Sequence, residues 1–209
     1  MAENVVENYG WNSNNETCSH SYISPEIIRL VKNLNPKKSI DIGCGNGFLC
    51  SEIYEAGFDI SGVEYDLAGY EIASSNYGQL NFYNMGVQDD PSAIIKNEGL
   101  FDLVISTEVI EHLFSPHMLP RFSSKLLNKG GHLIITTPYH GYLKNLALSV
   151  LDKWDQHHTA LWHGGHIKFW SKSTLSQLLE ENGFRTINFI GVGRAPYLWK
   201  SMILVAQKV

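Results

Sequence analysis

Long apolar runs, basic tracts and paired cysteines are all missing from this sequence. No stretch approaches the ~18 consecutive apolar residues that a membrane-spanning helix needs. The opening MAENVVENYGWNSNNETCSHS has neither the basic start nor the apolar core of a secretory signal, so the Asn15-Glu16-Thr17 triplet is not expected to be glycosylated. The three cysteines, Cys18, Cys44 and Cys50, are odd in number, and Cys44 lies inside a glycine-rich turn that a disulfide would disturb. A reducing, cytoplasmic setting is therefore expected. Lysine and arginine total 16 against 21 acidic residues, a net charge of −5 with no clustered cations. A sequence-independent grip on nucleic-acid phosphates is not expected.

What remains is a chain of 209 residues with 44% hydrophobic content, enough for one well-buried core and short for two. One domain over 1–209 is the expectation. Residues 1–23 are polar and asparagine-rich, with Tyr9 and Trp11 able either to fold over a ligand or to anchor on the core. From Ser24 the pattern alternates: a helix over 25–34, a strand at KKSIDI, a helix after Gly47, a strand at FDISGVE, a helix at LAGYEIASSNY and a strand at LNFYNM. FDLVIS then reads as a fourth strand, 107–127 as a helix, and GHLIITT, after the turn NKGG, as a fifth strand. Such alternation predicts an α/β fold, a parallel sheet with helices on both faces. The rhythm breaks over 139–170 and resumes with a helix over 172–182 and the strands FRTINFIGVG and WKSMILVAQ. The broken region reads as an insertion, a common carrier of specificity on such scaffolds.

IDIGCGNGFL runs from an apolar strand through Gly43, Gly45 and Gly47 into a helix. Glycines let a backbone turn sharply and lie against a ligand, although glycine turns also join strands to helices without binding anything. Glu64 ends the second strand 19 residues beyond Gly45, where a carboxylate can accept hydrogen bonds from both ribose hydroxyls of an adenosine-containing cofactor. The spacing G-x-G-x-G differs from the dinucleotide fingerprint, and no second domain is present to hold a nicotinamide substrate, which disfavours NAD.

These residues resemble the first motif of the class I S-adenosylmethionine-dependent methyltransferases. The resemblance extends through Glu64, FDLVISTEVIEHL, LNKGGHLIITTP and the terminal strand pair, roughly over 24–209. It implies a Rossmann-like fold: a seven-stranded, mostly parallel sheet with the last strand antiparallel and helices on both faces. It also implies that Gly43 and Gly45 pass beside the methionine part of S-adenosylmethionine, that Asp41 acts through water, and that Glu64 holds the ribose. Ser106 or Thr107 would offer a backbone carbonyl to the methionine amino end. Val87 stands where many relatives place an acid near the adenine, so its backbone would make that contact, with Asp89 as the alternative.

In TEVIEHLFSPH, Glu108, Glu111 and His112 fall at i, i+3 and i+4, one face of a helix. The plain explanation is carboxylates at a helix N-terminus, where the dipole favours them. LWHGGHIKFW, however, supplies His163 and His166, and two carboxylates with two imidazoles suit magnesium, manganese or zinc. The pattern is similar to two methyltransferase families: the ubiquinone-biosynthesis O-methyltransferases and the small-RNA terminal 2′-O-methyltransferases. In both, the resemblance implies a divalent ion that binds the acceptor oxygens, here through Glu108, Glu111, His112 and His166, the last favoured over His163.

The insertion holds five of the nine histidines and three of the five tryptophans. Leu143, Leu146, Ala147, Val150 and Leu151 form one helical stripe and Lys144, Asn145, Ser149, Asp152 and Lys153 the other. This helix would be an edge element, a lid over an apolar acceptor, or, through 143–151, a peripheral membrane contact. His140 and His163 are candidate general bases, while His157 and His158 read as solvated. The leading expectation is O-methylation of a small hydroxylated acceptor, quinol-like, phenolic or sugar. The alternatives are an RNA 3′-terminal 2′-O-methyltransferase and a non-catalytic S-adenosylmethionine-binding protein.

Overall fold

The computed structural model describes residues 10–17, 19–158, 161 and 165–209. In chain order the elements are α1 (His20–Leu34), β1 (Ser39–Ile42), α2 (Phe48–Glu55), β2 (Ile60–Glu64), α3 (Leu67–Asn76), β3 (Phe82–Asn84), α4 (Ser92–Glu98) and β4 (Phe101–Thr107). A 3-10 turn at Ile110–His112 leads to α5 (Met118–Leu126), β5 (Leu127–Pro138), α6 (Tyr142–Val150), α7 (Trp154–His158), α8 (Lys172–Glu181), β6 (Phe184–Val192) and β7 (Ser201–Lys208). The strands form one sheet in the order β3-β2-β1-β4-β5-β7-β6. β1 to β5 pair in parallel, and β7 runs antiparallel to both of its neighbours. This is the sheet expected from the sequence.

The two-residue period of the strands builds the layers. Along β7, Met202, Leu204 and Ala206 join one buried cluster while Ile203 and Val205 join the other. β5 does the same with Leu133 and Ile135 against Ile134. The first cluster is closed by Leu119, Phe122 and Leu126 of α5 and by Leu175 and Leu179 of α8. The second is closed by Ile23, Ile27, Leu30 and Val31 of α1 and by Leu49, Cys50 and Ile53 of α2. Strands covered on both faces carry near-continuous apolar runs, which is why SIDI and FDLVIS read so plainly. Asp66 accepts from the N–H groups of Ala68 and Gly69 to start α3, and Ser171 with Thr174 forms a capping box on α8. Each such cap is worth about 1 kcal/mol.

Three expectations need correction. α1 begins at His20 rather than 25, and Pro25 lies within it. α4, which carries no strong periodicity, was not expected. The helix expected over 107–127 is two pieces: Glu108 takes a left-handed backbone, φ 54°, Ile110–His112 makes the 3-10 turn, and α5 starts only at Met118. Pro116 disfavours a helical Ser115 and removes a donor, which favours the break at SPH. On α6, whose orientation the sequence left open, Lys144 and Leu148 are buried, whereas Leu143, Leu146, Val150 and Leu151 face outward.

The strand order reverses direction between β1 and β4. Crevices that receive ligands open at the carboxyl ends of the strands at such a point. The loops after β1, β2, β4 and β5 all emerge there.

Candidate active site

The turn from β1 to α2 is shaped by glycine. Gly43, Gly45 and Gly47 have φ of +75°, +56° and +79°, values that residues with a Cβ rarely adopt. Close approach adds a second requirement: a Cβ on Gly43 would collide with Val109, and one on Gly45 with the Trp11 ring. The N–H groups of Gly43 and Cys44 donate to the Val63 carbonyl at 2.7 and 3.0 Å, which fixes the turn to β2. Asn46, buried, donates to the carbonyls of Ser13 and Asn15, both at 2.9 Å. The N-terminal segment is thereby drawn over the loop, and Trp11 lies on Gly45. Tyr9, its expected companion, lies outside the described residues.

This turn forms one end of a cavity of about 1010 Å³ lined by Asp41, Gly43, Gly45, Glu64, Val87 and Thr107, and at its other end by Glu108, His112 and His166. The Glu64 carboxylate accepts from the N–H of Gly45 at 2.6 Å and of Asp66 at 2.7 Å. Burial pushes its pKa up to about 7 against those two hydrogen bonds. Burial first, and Glu64 second, also raise Asp41 to about 7. One Asp41 oxygen is approached by the Cys50 thiol at 3.8 Å, and the other is buried without a hydrogen-bond partner. Ser106 is set behind the wall, its hydroxyl donating to the Ile42 carbonyl. Thr107 lines the cavity instead. Asp89 accepts from the Gly86 N–H at 2.7 Å and closes the turn beside Val87.

At the far end the insertion returns over the 3-10 turn. The N–H groups of Ile167 and Lys168 donate to the Glu111 carbonyl at 2.9 and 3.0 Å. His166 is thereby set against His112, ring centroids 5.0 Å apart. Glu111, His112 and His166 each offer a ligand atom within 4.8 Å of the others. One Glu111 oxygen accepts from Thr137 at 3.0 Å; the other is fully buried, has no hydrogen-bond partner among the described residues and lies 3.9 Å from His112 Nε2. A carboxylate with two imidazoles, one oxygen left over and the cavity beside it, suits a divalent ion that keeps open positions. Burial first, then Glu108, drives the Glu111 pKa well above the carboxylate range. Burial, then His112, lowers His166 to about 4. A bound cation would reverse the first of these.

Glu108 stands apart from that set. Its oxygens accept from Thr136 at 2.9 Å and Ser201 at 3.2 Å, and burial raises its pKa to about 7. His140 packs against His157, His158 and Phe169 rather than on the cavity wall. His163 lies outside the described residues. His157, which read as solvated, lines the cavity and is lowered to about 4 by burial and then by Lys144. Lys144 and Arg194 also line it, and neither was expected from the sequence. The stripe pattern grouped Lys144 with the polar side of α6 without saying which side is buried, and Arg194 stands in a loop with no periodicity to mark it.

A family profile for a methyltransferase domain matches residues 16–188. The chain is 27% identical over 150 residues to a ubiquinone biosynthesis O-methyltransferase of Ralstonia nicotianae, covering 68% of this chain and 60% of that one. It is 23% identical over 190 residues to the enzyme of that name from Coxiella burnetii, covering 89% and 81%. Among solved structures, magnesium protoporphyrin IX methyltransferase from Synechocystis PCC 6803 with bound S-adenosylhomocysteine superposes with a TM-score of 0.66 at 18% identity, covering 89% and 82%.

Proposed function

The chain belongs to the methyltransferase-domain family, and on that premise we propose that it is an S-adenosylmethionine-dependent O-methyltransferase acting on a small hydroxylated acceptor, with a divalent ion held by Glu111, His112 and His166. The observation that carries this reading is one cavity lined both by the glycine turn and Glu64 and by His112 and His166, whose ligand atoms lie within 4.8 Å of one from the buried Glu111. The O-methyltransferase names of the curated relatives support an oxygen acceptor.

Gly43 and Gly45 let the backbone lie against the methionine part of the donor, and Glu64 accepts the ribose hydroxyls. Val87 borders the adenine, and Thr107 and Asp41 stand at the amino end. Trp11, lying on Gly45, shields that part of the site from water. When bound, the ion lowers the pKa of an acceptor hydroxyl and orients it. The chain's own part is alignment of oxygen, methyl carbon and sulfur, the largest catalytic contribution available to a transfer of this kind. Glu108 and His157 face the cavity and are placed to take the acceptor proton; His140, set back, is not placed to reach it directly. The outward apolar face of α6, with Leu146 45% and Val150 75% exposed, supports peripheral membrane contact. No helix among the described residues is long and apolar enough to cross a membrane.

The test is transfer of a labelled methyl group from S-adenosylmethionine to a panel of catechols, phenols and sugars. The expected result is an O-methylated catechol whose formation is lost on chelation and in Glu111→Ala, with S-adenosylhomocysteine affinity retained. Transfer that survives both perturbations would overturn the metal assignment. Transfer to nitrogen alone would overturn the acceptor class.

A further inference from the structure

Lys144 is only 3% exposed, yet it forms no ion pair among the described residues. The hydrogen bond of its ammonium goes to the Lys200 carbonyl at 3.3 Å. Burying a charge with so little compensation is costly. Its surroundings add to the cost: Arg194 is close enough to disfavour its charge, and the pKa falls to about 8 through burial first and Arg194 second. The acid that faces it, Glu108, has its oxygens engaged by Thr136 and Ser201. His140, His157, His158 and His166 are also near enough to feel its charge.

Lys144, Arg194 and His157 are also shared by two cavities. Besides the large one there is a smaller one of about 420 Å³, walled by Leu148, Leu151 and Leu198 and lined by no aspartate or glutamate among the described residues. The shared residues therefore border both cavities, so cationic groups adjoin the leucines of the smaller one, whose lining also includes Lys153 and Gln156. A neutral acceptor would leave the ammonium and guanidinium in mutual repulsion. An anion between them would offset it, and guanidinium and ammonium are the groups best suited to a carboxylate or phosphate.

We propose that the acceptor is an amphiphilic anion whose carboxylate or phosphate sits between Lys144 and Arg194 and whose apolar arm extends along Leu148, Leu151 and Leu198. This rests on the methyltransferase reading of the large cavity, and it narrows the acceptor from any small hydroxylated molecule to an anionic one with an apolar extension.

The experiment is calorimetry of the full chain loaded with S-adenosylhomocysteine, titrated with decanoate, decyl phosphate and decanamide below the concentrations at which they self-associate. At least one anion is expected to bind saturably at one site, and decanamide roughly tenfold or more weaker. Arg194→Gln should weaken the anion roughly tenfold and leave the amide unchanged, and Lys144→Met should weaken the anion further. Arg194 is exposed, so its variant keeps the test decisive if the buried lysine's variant fails to fold. The tighter of the two anions identifies the headgroup. Equal affinity for anion and amide, no binding of either, or an anion affinity unmoved by Arg194→Gln would overturn the proposal. Failure to load S-adenosylhomocysteine would instead overturn the reading on which it rests.

Discussion

Removing the Glu64 side chain perturbs both the cofactor and the fold, and the two effects can be separated. The carboxylate is 7% exposed and accepts from Gly45 at 2.6 Å and Asp66 at 2.7 Å, so Glu64→Ala leaves two N–H groups to find water. That costs about 1 to 3 kcal/mol of stability for each group that stays dry. The melting temperature should fall by roughly 2 to 4 °C per kcal/mol for a chain of this size. Losing the ribose hydrogen bonds to a charged acceptor should weaken S-adenosylhomocysteine by about 1 to 3 kcal/mol, or roughly five- to 150-fold. Calorimetry at pH 8 measures this with the wild-type carboxyl, raised to about 7, ionised. Hydroxyl donors favour the ionised form, so binding expels its proton and wild-type affinity should fall as pH drops below about 7. The alanine variant should lose this part of the pH dependence. A folded Glu64→Ala protein with unchanged affinity at pH 8 would refute the assignment.

Two further outcomes follow. Glu111 has a pKa raised well above the usual range while His166 is lowered to about 4 and is already neutral near pH 7, so a metal must displace the carboxyl proton. Manganese affinity, read by its paramagnetic resonance signal, should climb up to roughly tenfold per pH unit as pH rises toward the Glu111 pKa, and a flat profile would contradict this. Val150→Asp and Leu146→Asp, on the outward face of α6, should reduce co-sedimentation with phosphatidylcholine and phosphatidylglycerol vesicles while leaving the melting temperature nearly unchanged. Wild-type protein that ignores such vesicles would remove the membrane contact.

The sheet was legible because buried parallel strands must be apolar throughout and glycine turns punctuate them. SIDI, FDLVIS and the terminal pair fell where expected for that reason. The G-x-G-x-G turn and Glu64 were legible because their chemistry is local: a glycine φ and a carboxylate at a strand end. What failed was tertiary. Glu111 and His112 come together, with Glu108 apart from them, without the helix assumed for all three, because the left-handed Glu108 and the 3-10 turn replace it. His166 does come beside Glu111 and His112, as expected, although the Ile167 and Lys168 N–H bonds to the Glu111 carbonyl that set it there are encoded by no side-chain pattern. The α6 stripe left the orientation of that helix open, because period alone says which residues share a face, not which face is buried. Lys144 was lost from the site for the same reason.

The most direct test of the central claim is a crystal structure of the protein grown with S-adenosylhomocysteine and manganese, with anomalous data collected for the ion. The expected result is the ribose on Glu64, the sulfur facing Thr107 and Glu108, and one anomalous peak bounded by Glu111, His112 and His166. Cofactor density away from the glycine turn, or a saturated crystal with no peak at those three residues, would contradict it.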